Sequence, residues 1–158
     1  MKDSIRAGFN FGLTSGIITT LGLMVGLNSS TQSHYVVISG ILTIAVADAL
    51  SDSIGMHFAV ESQNNYSNKE IWEATFSTFV YKFIFSSMFI IPIIFLDLNK
   101  AVLIGILLGL YLIIANSLYL ARQQEIKPIP VVLEHVIFTI GVVVVAHFIG
   151  IFISAIFT

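Results

Sequence analysis

No cysteine occurs among the 158 residues. Disulfides, thiolate metal sites and thiol nucleophiles are therefore excluded. Charge is scarce too: Lys, Arg, Asp and Glu together make up 10% of the chain, and the net charge is −2. Without a basic run, nucleic-acid binding has no support. No P-loop, HExxH helix, glycine-rich dinucleotide fingerprint or nucleophile–base set is present. The chain is expected not to be an enzyme and to carry no cofactor.

What is abundant is apolar surface. Hydrophobic residues make up 56% of the chain, and the mean hydropathy is +0.95. Such values exclude a disordered chain and argue against a soluble domain. No polar stretch is long enough to bury a core of its own, so one integral membrane domain over residues 1–158 is expected. Five windows suffice to cross a bilayer as helices, near 7–27, 36–60, 76–96, 101–121 and 131–157. The runs are continuous rather than alternating, which excludes a β-barrel. The expected fold is all-α, with the first window read as a retained helix because no small-residue cleavage pattern follows it.

Basic residues fall unevenly about these windows. Lys2, Arg6, Lys69, Arg122 and Lys127 lie on one side of an alternating path, and Lys100 stands alone on the other. By the positive-inside rule the N-terminus is cytoplasmic and the C-terminus outside. A multi-pass protein of a prokaryotic cell membrane, with the lipid bilayer as its surroundings, is the expected setting.

The first window carries Gly8, Gly12 and Gly16 at a spacing of four, then Gly22 and Gly26. Such a face admits close approach of another helix, from the same chain or from a second copy. Gly105 and Gly109 repeat the pattern in the fourth window.

The second window, in "AVADALSDSIGMHFAVESQ", places Asp48, Asp52 and Met56 on one helical face. A carboxylate at the centre of a spanning helix costs roughly 2.5–3.5 kcal/mol, so two must face protein, water or an ion. Hard oxygen ligands at this spacing suit a divalent cation such as Mn²⁺ or Fe²⁺, with the Met56 sulfur favouring the softer. Carboxylates also exchange protons for metal. The competing reading is a structural salt bridge, with Lys82 neutralising one acid and Asn116 bonding the other, or with Lys82 snorkelling to the headgroups. Glu134 and His135 open the fifth window. His57 and His135 read as interfacial hydrogen-bonders, and Glu70 and Glu73 beside Trp72 as a solvated turn.

Taken together, the windows resemble the vacuolar iron transporter family, whose plant branch includes nodulin-like proteins. "LTSGIITTLGLMVGL" is similar to that family's first helix, and "ADALSDSIGMHFAVESQ" to its second. "TFVYKFIFSSMFIIP" and "LEHVIFTIGVVVVAHFIG" follow its third- and fifth-helix patterns in order. The resemblance implies five membrane helices, a homodimer, and movement of Fe²⁺ or Mn²⁺ out of the cytosol by proton antiport.

Asp48 and Glu134 match the family's acids. The first-helix metal-binding aspartate falls on Ser15, the second-helix methionine on Asp52, and a second-helix glutamate on Met56. One carboxylate has left helix 1 and one has appeared in helix 2. The family's acidic cytoplasmic metal-binding insert is missing, replaced by "SQNNYSNKE". The chain resembles a short form. The expected ion path runs past Glu61 and Glu134 to Asp52 and Asp48, with Met56 beside them and Ser15 opposite. The alternatives are a non-transporting scaffold protein whose acids pair with Lys82, and a proton-coupled carrier of another solute.

Overall fold

A computed structural model of the protein describes residues 2–157. It is helical throughout, with no strand among the described residues. Six helices follow one another: α1 (Asp3–Thr31), α2 (His34–Glu61), α3 (Asn68–Ser87), α4 (Ile90–Phe95), α5 (Leu98–Gln123) and α6 (Pro128–Phe157). With α3 and α4 taken as one span, Asn68–Phe95, five helices are long and apolar enough to cross a membrane. The all-α, five-span expectation holds.

The helices outrun the apolar windows because their ends are polar. Asn28–Thr31 is still helical although hydropathy ends near Leu27, and α3 begins well before its window. Ser67 starts α3 with a capping box: its hydroxyl accepts from the Glu70 N–H, and the Glu70 carboxylate accepts from the Ser67 N–H. Two of the helix's otherwise orphaned donors are thereby satisfied.

The break at Met88–Phe89 has its cause in Pro92. Proline has no N–H for the carbonyl four residues back, which is that of Met88, and its ring clashes there. α3 therefore closes before it, and α4 restarts with the proline in its first turn. Pro128 opens α6, the position where a missing N–H costs least. The turn before it is a Schellman motif. Glu125 has a positive φ of 55°, and the Ile126 N–H reaches the Ala121 carbonyl at 3.1 Å.

Contacts divide the chain into two compact units: Met1–Thr20 with Ile41–Phe89, and Leu21–Gly40 with Ile90–Thr158. In the first, the glycine face of α1 lies on α3. A Cβ at Gly8 would meet Ser77 and the backbone of Ala74, and one at Gly12 would meet the Thr78 carbonyl at 2.8 Å. Backbones come this close only where one helix presents no side chain. Phe9 locks the seam edge-on to Tyr81, ring centroids 4.8 Å apart. The open question about this face is answered: it is an intrachain packing face.

In the second unit α5 packs along α6 and α4. The later part of α1 meets α6 at Gly26 and Gly150, where the Gly26 carbonyl is 2.5 Å from a Cβ placed on Gly150. α6 has the highest mean hydropathy of the five spans and buries the least of itself. It presents mostly Ile, Val and Phe outward, as lipid contact allows.

Candidate functional site

Four polar side chains from three helices of the first unit converge. Asp48 and Asp52 stand one turn apart on α2, Ser15 comes from α1, and Lys82 from α3. Each lies near the middle of its span. At 1.5 Å per residue, Asp52 is roughly 13 Å from the α2 terminus and Lys82 roughly 20 Å from the start of α3.

The Lys82 ammonium is the centre of the cluster. Its Nζ is 2.5 Å from Asp48 Oδ2, pairs with Asp52 Oδ2, and donates to Ser15 Oγ at 2.9 Å. Ser15 Oγ donates onward to Asp52 Oδ2 at 2.7 Å. The contact with Asp48 is ionic rather than an aligned hydrogen bond. The ammonium thus donates two hydrogen bonds and makes one ionic contact.

Burial is unequal. Lys82 is wholly enclosed, at 0% exposure, whereas the side chains of Asp48 and Asp52 keep 30% and 24%. The cation is sealed in and its two counter-ions open outward. Two carboxylates against one ammonium leave one negative charge over.

These positions correct one expectation about Lys82. It neither snorkels to the headgroups nor serves a single acid; it touches both. Side-chain length explains the first point, since Lys82, near the middle of the Asn68–Phe95 span, is too deep for its side chain to reach the boundary. Asn116 lies in the other unit and is largely buried.

The remaining expected path residues are spread out. Met56 packs with Tyr66 against the apolar cluster of Val60, Ile71 and Ala74. Glu61 is exposed at the end of α2, and Glu134 is exposed on α6, in the second unit. Among the described residues, no three His, Asp or Glu side chains gather where they could hold one metal ion. His57 shares a hydrogen bond with Thr75 Oγ1 at 3.0 Å and meets Trp72 edge-on. His135 does likewise with Ser117 Oγ at 2.8 Å. Lys2 and Ser4 reach Glu73, so the acid beside Trp72 ties the start of α1 to α3.

Residues 8–73 match the model of the VIT family. Over this stretch, less than half of its length, the chain is similar to the VIT family. That family is one of metal-ion transporters, and the chain has five helices long and apolar enough to make it a multi-pass membrane protein. No curated protein matches the chain. The matched stretch contains Ser15, Asp48, Asp52, Met56 and Glu61, and ends before Lys82 and Glu134. Asp48 and Asp52 thus lie within the matched segment, and the lysine that binds them lies beyond it. The short link 62–67 between α2 and α3 leaves no room for a metal-collecting insert.

Proposed function

We propose that the chain carries a divalent metal ion, Fe²⁺ or Mn²⁺, out of the cytoplasm in exchange for protons. Asp48 and Asp52 hold the ion at mid-span, and the Ser15 hydroxyl supplies a further oxygen. Glu61 and Glu134 attract it at the cytoplasmic entrance, and Met56 lies between Glu61 and the acids on α2. The working unit is a homodimer in a prokaryotic cell membrane, with the N-terminus inside.

One observation carries this reading: the acids outnumber the lysine and stay partly open. A salt bridge that only joined helices would need one aspartate, fully enclosed. A second carboxylate at this depth costs roughly 2.5–3.5 kcal/mol in lipid, and hydration or an ion offsets that cost.

The glycine face of α1 gives the dimer no support, since α3 covers it. α2 offers another surface. Ala47, Ser51, Gly55 and Ala59 recur every fourth residue and are exposed, and nothing lies within 4 Å of a Cβ at Gly55.

A second reading is favoured by the lysine itself. The Lys82 contacts join both acids to one buried cation, and a non-transporting membrane scaffold would need nothing more. Flux decides between them. Reconstituted in liposomes, the parent should move Mn²⁺ or Fe²⁺, and Asp52→Asn should remove most of that flux while the protein stays folded. Asparagine keeps an oxygen but loses the charge that competes with hydration. Unchanged flux in a folded Asp48→Asn, Asp52→Asn variant would refute the transport site.

A further inference from the structure

The place that a divalent ion would take is already held by a cation belonging to the protein. The Lys82 ammonium sits against one oxygen of each aspartate and against Ser15 Oγ, the same three groups proposed above to hold metal. Two cations cannot share that space. An ammonium held against Oδ2 of both carboxylates takes the place of a metal bridging those two oxygens, whose own ligands must lie at about 2.0–2.6 Å.

We infer that Lys82 is a tethered competitor of the transported ion, so that metal binding and the Lys82 ion pairs exclude one another. This rests on the transport reading and deepens it. Arrival of the metal between the carboxylates displaces the ammonium; its return expels the metal and restores a site that is never left with two bare acids. The empty carrier then crosses its cycle with a net charge of −1 at the cluster in place of −2, and affinity for the metal is held down by an internal rival.

The displaced ammonium has somewhere to go. Thr78 and Ser86 stand one turn to either side of it on the same face of α3, both fully buried. Each hydroxyl now donates to a backbone carbonyl, Thr78 to Ala74 at 2.9 Å and Ser86 to Gly16 at 3.3 Å. Each therefore keeps lone pairs that can accept from the ammonium. Pivoting along α3 keeps the lysine hydrogen-bonded without leaving the protein interior.

The test compares the parent, Lys82→Met and Lys82→Arg in detergent, with Mn²⁺ binding read from loss of the free-ion paramagnetic resonance signal. Removing the rival should tighten Mn²⁺ binding at least tenfold in Lys82→Met, and adding Asp48→Asn should abolish the gain. In liposomes the same variant should bind Mn²⁺ well and turn over slowly, because the ammonium no longer helps the returning protons to expel the ion. Lys82→Arg keeps the charge and can hold both carboxylates in a planar fork; it should fold, and bind Mn²⁺ at least tenfold more weakly than the parent.

If the parent binds Mn²⁺ through Asp48 and Asp52 while Lys82→Met binds no tighter, the competitor role is overturned and the transport reading stands. If neither protein binds Mn²⁺ or Fe²⁺, both fall. Should Lys82→Met fail to fold, Lys82→Arg decides alone: affinity equal to the parent's overturns the inference.

Discussion

Stability should respond to the two aspartates in a strongly non-additive way. Asp52→Asn leaves Lys82 with Asp48 and Ser15, and asparagine still offers an oxygen to Ser15 Oγ and to the ammonium. The Ser15 hydrogen bond to residue 52 goes from charge-assisted, worth about 1.5–3 kcal/mol, to neutral, worth about 0.5–1.5. The ammonium still donates as an ion, so the loss is about 1 kcal/mol. Asp48→Asn should cost about the same, because the Asp52 pair remains. With both replaced, Lys82 is a wholly buried cation without a counter-ion, and removing the partners of a buried charge costs about 3–5 kcal/mol.

The double variant should therefore lose about 1–3 kcal/mol more than the two single variants together. In thermal melts in mild detergent, at about 2–4 °C per kcal/mol for a chain of this size, each single change lowers Tm by a few degrees and the double by about 10 °C. Adding Lys82→Met to the double variant should restore most of that loss, since no buried charge remains to be paired. Additive single effects, or a double variant as stable as the parent, would refute the triad as an energetic unit. A rescue that never comes would mean that the acids stabilise the fold through something other than Lys82.

Gly12→Ala and Gly55→Ala make the same chemical change with opposite expected outcomes. At Gly12 the new methyl meets the Thr78 carbonyl and the Lys82 amide at 2.8 and 3.0 Å, so overpacking of about 1–3 kcal/mol outweighs the gain in helix propensity. At Gly55 nothing of the same chain lies within 4 Å, and the propensity gain of about 0.5–1 kcal/mol should show as a small rise in the melting temperature of the monomer. Orientation can be read with an impermeant thiol reagent on intact cells. A cysteine at Thr31 should label from outside, and one at Asn65 should not; the reverse pattern would invert the proposed direction of transport.

The spans were legible because uninterrupted apolar runs of that length have few physical alternatives. Their ends were less so: polar residues such as Asn28–Thr31 add turns to a helix without adding hydropathy. The break before Pro92 needs the Met88 carbonyl to be placed before it can be seen. Asp48 and Asp52 declared themselves by type and spacing, and a helical wheel sufficed to put them together. Lys82 carried an equally plain signal, a lysine in mid-span, but what it touches depends on how α3 is rotated against α1 and α2. A single sequence does not give that rotation. The glycine face shows the same limit from the other side: Gly8, Gly12 and Gly16 announce a close approach without naming the helix that makes it.

That close approach has a mechanical consequence. Because α1 rests on α3 backbone against backbone at Gly8 and Gly12, with Phe9 wedged against Tyr81, the two helices have little freedom to slide or roll over each other in this region. Ser15 and Lys82 ride on one stiff plate. The carboxylates ride on α2, beside the fully buried small residues Ala45 and Ala49. With that backing fixed, the lysine side chain is the part left to swing between the acids and its neighbours on α3, and any larger movement falls to α2.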